Sequence, residues 1–166
     1  KQLLQPGLDV QLLNACRRHG IEPEMLELEL TESALVHSMD VVQPLLARLR
    51  GHGFTLALDD FGTGYSSLSY LRHLPFQKVK IDRSFVMDVD RDAKAACLLE
   101  SIVRLCTGMG MRTVAEGVET ETQLAVLRSL GVMEYQGYWF SRPLPVSQWV
   151  DLLAAEPSAT LVLPRL

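Results

Sequence analysis

Cysteine is scarce in this sequence of 166 residues, and Cys16, Cys97 and Cys106 stand far apart with no C-x-x-C pair among them. A disulfide framework or a thiolate metal site needs paired cysteines, so these three read as small core hydrophobes on the apolar faces of helices, in a reducing compartment. His19, His37, His52 and His73 show no i, i+4 pairing and stand beside helix ends or turns, which speaks against zinc. No basic run occurs and the net charge is -4, which argues against bulk nucleic-acid binding. No apolar stretch approaches the ~20 residues that span a bilayer, and the N-terminal KQLLQPGLDV lacks the basic-then-apolar design of a signal peptide. The expectation is a soluble, cytoplasmic chain, with any membrane anchor lying elsewhere in a longer parent protein.

What is present is a chain with 48% hydrophobic and 22% charged residues, enough for one globular domain with a core. Helical and strand periods alternate along it. Leu12, Leu13 and Cys16 share a helical face between Pro6 and Gly20, and LELEL from Leu26 to Leu30 then alternates as a strand does. Val42, Leu45, Leu46 and Leu49 make the next helical stripe, closed by Gly51 and Gly53 before the strand FTLAL, Phe54 to Leu58. A short helix over Ser67 to His73 leads to KVKID, Lys78 to Asp82. The stripe Ala95, Leu99, Ile102, Val103 and Cys106 leads to MRTVAE, Met111 to Glu116. Leu124, Leu127 and Leu130 lead to VMEYQG, and a last helix carries Val146, Trp149, Val150 and Leu153. Strict alternation predicts an α/β fold with a parallel sheet, either open and doubly wound or closed as a (β/α)8 barrel, of which five units are present. Both architectures bind ligands beyond the carboxyl ends of the strands.

Those ends carry Glu29 and Glu32, then Asp59 with Asp60, then Lys80 and Asp82, then Glu116 and Glu119, and finally Gln136. Neighbouring side chains on a strand point to opposite faces, so Asp59-Asp60 by itself reads as a solvated turn. One acidic strand end is ordinarily a helix N-cap. Recurrence on successive strands points instead to a shared site, where so many carboxylates would raise one another's pKa without a cation between them. The donors are oxygens with one amide, which suits magnesium, manganese or calcium rather than zinc or copper. One bridging carboxylate flanked by others suits two divalent ions about 3.5 to 4 Å apart, an arrangement used for in-line attack on phosphate esters. Lys80 would hold the attacking water or stabilise the phosphoryl oxygens; a salt bridge to a neighbouring carboxylate is its structural alternative.

ELTES (Glu29 to Ser33), DDFGTGYSSL (Asp59 to Leu68), KIDRSFV (Lys80 to Val86), AEGVET (Ala115 to Thr120) and QGYWFSRPLP (Gln136 to Pro145) resemble, in order, the signature motifs of the EAL domain family. These are bacterial phosphodiesterases that open cyclic di-GMP to linear pGpG, and the resemblance runs from about residue 1 to about residue 155. It implies a (β/α)8 TIM-type barrel with two Mg2+ or Mn2+ ions in its mouth. By similarity Glu29 binds one metal, Asp59 bridges the two and Asp60 binds the second. Glu116 resembles a further ligand or general base, Lys80 the residue positioning the water, and Gln136 a polar neighbour in the same ligand set. Glu32 and Glu119 resemble the pair that anchors the loop from Phe61 to Ser69. Within it Phe61, Gly62, Thr63, Gly64, Tyr65, Ser66 and Ser67 form a lid that couples metal binding to dimerisation in the family. Asp82 and Pro143 are candidate substrate contacts. The implied partners are cyclic di-GMP, a second copy of the barrel, and an upstream sensory or cyclase domain.

The sequence also departs from the family pattern. Family members begin earlier, with a strand carrying Glu-Ala-Leu and a later strand ending in a metal-binding Asn, and neither motif occurs here. Residues 1–166 therefore read as part of an EAL domain, from the helix before ELTES through the final barrel helix, with the N-terminal strands missing. Two other readings stay open: a cyclic di-GMP receptor that binds without cleaving, and a magnesium-dependent barrel of the enolase type, which has no use for adjacent aspartates.

Overall fold

Alternation in the strands sorts the side chains into an apolar outer face and a charged inner one. The computed structural model describes residues 5–35, 39–62 and 68–149. Helix α1 (Leu8–His19) ends at Gly20, whose left-handed backbone lets its N–H return to the carbonyls of Arg17 and Cys16. A 3-10 turn (Pro23–Met25) leads to β1 (Glu27–Thr31), followed by the short α2 (Glu32–Leu35), α3 (Met39–Gly51) and β2 (Thr55–Phe61). Then come α4 (Leu68–His73), β3 (Lys78–Ile81), a 3-10 turn (Arg83–Phe85), α5 (Ala93–Gly108), β4 (Arg112–Glu116), α6 (Glu121–Ser129) and β5 (Glu134–Gln136). Helix starts are set by side chains. Asp92 accepts the Lys94 N–H ahead of α5, and Thr120 with Gln123 forms a reciprocal capping box ahead of α6.

The strands form one parallel sheet in the order β1-β2-β3-β4-β5. A doubly wound sheet reverses its strand order at a switch point, and none occurs among the described residues. Right-handed crossovers that always step the same way place every helix on one face of the sheet, as in a barrel wall. The outer face carries the core. Leu30, Leu56, Leu58 and Val79 pack with Leu45, Leu46 and Leu49 of α3, while Ile81 and Ala115 pack with Leu99, Val103, Leu124 and Leu127 of α5 and α6.

The opposite face is charged. At the start of the strands the buried Lys78 ammonium sits 2.6 Å from Glu27 and 2.7 Å from Glu134, and Arg112 lies 3.3 Å from Glu134. Glu27, Lys78 and Glu134 come from β1, β3 and β5, the alternate-strand layering of a barrel interior. The same alternation one step up the strands brings Glu29 and Lys80 together.

Most expected elements lie where the periodicity puts them. Strand β2 runs on to Phe61, past the expected end at Leu58, and β5 shrinks to Glu134–Gln136. Residues 146–149 are helical, and the rest of the expected last helix lies outside the described residues. Cys16 and Cys106 are buried as expected, but Cys97 is exposed: two residues before the buried Leu99 it falls on nearly the opposite, solvent side of α5, so it is no core residue. Among the described residues no helix is long and apolar enough to cross a membrane.

The floor layer yields a test. Lys78→Met leaves Glu27 and Glu134 with less counter-charge beside a buried lysine, and should cost about 2 to 3 kcal/mol of unfolding free energy in urea, below the roughly 3 to 5 kcal/mol of a fully buried pair because Glu27 is exposed. An unchanged midpoint would mean that the layer is solvated rather than buried.

Candidate metal centre

Two adjacent aspartates can serve one site only if the strand alternation breaks between them. It does. The β2–β3 ladder is in register at Leu58–Val79 but pairs Phe61 with Ile81, and within this shift Asp60 takes a left-handed conformation, φ 53°. Such a bulge re-aims a side chain, and Asp is one of the few residues that tolerates the conformation. As a result, carboxylate oxygens of Asp59, Asp60 and Glu116 lie within 4.8 Å of one another at the carboxyl ends of β2 and β4.

Lys80 stands beneath this group. Its ammonium is 2.6 Å from Glu29 Oε1, 2.7 Å from Glu116 Oε1 and 3.5 Å from Asp59 Oδ1. Burial by itself would lower its pKa, but the bonds to Glu116 and Glu29 outweigh that effect and the net shift is upward. Lys80 therefore stays cationic in neutral solution and serves as a fixed positive charge, not as a base. Its side chain is only 2% exposed, so that charge acts at low dielectric.

The other expected site residues fall into place unequally. Glu29 contacts Lys80 and lies outside the Asp59–Asp60–Glu116 trio. Gln136 is the register partner of Glu116 across β4 and β5. The buried Glu32 accepts the Gly62 N–H at 3.4 Å, at the start of the loop it was expected to anchor. Glu119 lies 3.5 Å from the Arg83 guanidinium, and most of the loop it was expected to anchor lies outside the described residues. Phe61 closes β2, whereas Thr63, Gly64, Tyr65, Ser66 and Ser67 lie outside the described residues. Asp82 accepts the Ser84 N–H at 3.0 Å as the cap of the Arg83–Phe85 turn, and Pro143 is exposed. Sequence reasoning assigned nothing to Lys78, Arg83 or Phe85. The first could have been read from its i, i+2 spacing to Lys80, but the other two offer no signal before the chain is folded.

The donors of the trio are all carboxylate oxygens, a hard set that fits a divalent cation such as Mg2+, Mn2+ or Ca2+. A family model for the EAL domain matches residues 1–143. The chain belongs to the EAL domain family. This EAL domain is 45% identical over 145 residues to the cyclic di-GMP phosphodiesterase NbdA of Pseudomonas aeruginosa, covering 87% of this chain and 18% of NbdA. It superposes with TM-score 0.82 and 41% identity on the PaMucR phosphodiesterase in complex with c-di-GMP, covering 89% of this chain and 60% of that one. It superposes with TM-score 0.80 and 35% identity on Klebsiella pneumoniae BlrP1 in complex with manganese and cyclic di-GMP, covering 86% of this chain and 36% of that one. The chain thus spans only part of these relatives. Its five parallel strands with their helices correspond to five βα units of the EAL barrel.

The bulge can be tested separately from the charge. In the presence of a chelator, Asp60→Asn should leave stability nearly unchanged, because Asn also tolerates the left-handed conformation. Asp60→Val should cost about 1 to 2 kcal/mol, read by urea denaturation. Equal stability of the two variants would show that the bulge does not hold position 60 in that conformation.

Proposed function

We propose that this EAL domain hydrolyses cyclic di-GMP to linear pGpG in a reaction dependent on two divalent cations, Mg2+ or Mn2+. In this reading three further βα units complete the barrel in the parent protein, since five strands in sequential order leave the wall of an eight-stranded barrel open. The observation that carries the proposal is the convergence of Asp59, Asp60 and Glu116 within 4.8 Å at the strand ends, in a chain whose relatives are cyclic di-GMP phosphodiesterases.

Cations held among Glu29, Asp59, Asp60 and Glu116 would supply Lewis acidity, lowering the pKa of a bound water and neutralising phosphate charge. Asp59, the most deeply buried of the trio and 3.5 Å from Lys80, would hold the cations together with Asp60, in the bridging role that the family resemblance implies. Glu116 ends β4 with its carboxylate oriented by Lys80, which positions it to accept a proton from water. Lys80 contributes a permanent charge toward the phosphoryl oxygens or orients the water, and Gln136 offers an amide beside Glu116. Glu32 holds the start of the Phe61 to Ser67 lid at Gly62, and Asp82 and Pro143 stay candidate contacts for the nucleotide. MucR of Pseudomonas aeruginosa is a bifunctional diguanylate cyclase and phosphodiesterase. That pairing of activities supports a cyclase domain elsewhere in the parent protein; an upstream sensory input, a cytoplasmic placement and a pair of EAL barrels complete this reading as expectations of the family resemblance.

Asp59→Asn in the complete domain should lower turnover of cyclic di-GMP by at least ~2 to 3 orders of magnitude, the scale of losing one preorganised electrostatic element. Nucleotide affinity should change little, because contacts to the guanines remain. Near-normal turnover with Mg2+ would remove Asp59 from the metal site, and tight binding with no cleavage by the unsubstituted domain would favour a receptor instead. A second expectation is that residues 1–166 alone form no pGpG with Mn2+ or Mg2+. Ordinary turnover by this chain in isolation would show that the proposed additional units are dispensable.

A further inference from the structure

The segment that carries the two aspartates has little to hold its shape from within. Asp60 and Gly62 both take left-handed conformations, with φ of 53° and 95°, and two such residues in three leave the backbone several other paths. Packing has to select this one. On one side the Glu32 carboxylate takes the Gly62 N–H. On the other side stands Phe85: a Cβ built on Gly62 would lie 2.5 Å from the ring carbons Cε2 and Cζ. Glycine is thus required at position 62 twice, by its φ and by the ring that fills its side-chain space.

Phe85 is itself held firmly. The Arg83–Phe85 turn follows β3 directly, with Phe85 N–H on the Asp82 carbonyl, Val86 N–H on the Arg83 carbonyl and the Asp82 side chain capping Ser84. The same turn reaches the other half of the site. A Cβ on Gly117, φ 71° and next to Glu116, would lie 2.5 Å from Arg83 Cβ, and the Arg83 guanidinium faces Glu119 at 3.5 Å. One three-residue turn between β2 and β4 therefore touches the residue after each strand end that bears the Asp59–Asp60–Glu116 trio.

We propose that Phe85 is a positioning residue of the metal site, with the Arg83–Phe85 turn acting as a wedge that sets the spacing of Asp59 and Asp60 against Glu116. The inference rests on the reading that these carboxylates hold a divalent cation. It also gives Glu119 an indirect route to the metal site, through Arg83 and the turn. Phe85 is half-buried and carries no ionisable group, so its effect passes through its packing on Gly62.

The test is a double-substitution cycle in the complete parent protein, with Phe85→Ala, Gly62→Ala and the pair. Mn2+ affinity is measured by calorimetry without nucleotide, and melting temperature is measured in chelator. Phe85→Ala should weaken Mn2+ binding about tenfold, the low end of the effect of removing a residue that orients metal ligands. Phe85→Leu, which keeps apolar bulk against Gly62, should restore most of that loss and guards against a variant that fails to fold. Gly62→Ala should weaken binding severely when Phe85 is present and much less in the Phe85→Ala background, because only the ring opposes the new methyl group; φ strain is common to both arms of the cycle. Unchanged Mn2+ affinity with only a lower melting temperature would reduce Phe85 to a core residue and overturn the inference. Additive effects of the two substitutions, or no Mn2+ binding by the unsubstituted protein, would overturn it as well. Mn2+ binding without hydrolysis of cyclic di-GMP would sink the phosphodiesterase reading and leave this one standing.

Discussion

One buried ammonium, that of Lys80, lies within ion-pair distance of Glu29, Asp59 and Glu116, which come from three different strands. Carboxylates gathered this closely repel one another, and a fixed cation at low dielectric offsets part of that repulsion without leaving its place on β3. Because the bonds from Glu116 and Glu29 overcome desolvation and keep the lysine charged, the acidic rim can be assembled by folding before any cation is bound.

That arrangement depends on the winding of the sheet. Since the crossovers all step in one direction, the leucines of LELEL, Leu56 and Leu58 of FTLAL, and Val79 and Ile81 of KVKI lie under the helices, while Glu27, Glu29, Lys78 and Lys80 between them face inward. Two charged layers then stack along the interior, with Lys78 among Glu27 and Glu134 near the strand starts and Lys80 among Glu29, Asp59 and Glu116 near the strand ends. The lower layer braces three strands, while the upper one presents its carboxylates at the rim. Breaking a buried ion pair is costly even where forming it contributes little net stability, so a strand slipped out of register would lose pairs in these layers at a net cost.

Local strain is concentrated at the rim. Asp60 and Gly62 use left-handed backbone within a few residues, and Glu32 on one side with Phe85 on the other hold that path. The strained segment is the one that brings Asp60 alongside Asp59, which is where a β-bulge has functional use.

The sequence determined the five strands, the helices between them and the oxygen-rich character of the strand ends, because period-two and helical alternation are local properties of the chain. KVKID read as a strand before any tertiary contact was known, and the five motifs in order pointed to the EAL family. What alternation could not supply was how Asp59 and Asp60 share a site, since by that rule they should face apart; the answer is a bulge, and a bulge is set by the register against β3. The choice between a doubly wound sheet and a barrel wall likewise needed the strand order, a relation among distant segments. Cys97 turned out exposed because the helical stripe through Leu99 and Val103 leaves it on the solvent side. Glu119 reached Arg83 and Phe85 reached Gly62 through contacts that only the close approach of the loops after β2, β3 and β4 creates, and nothing local in KIDRSFV marks them.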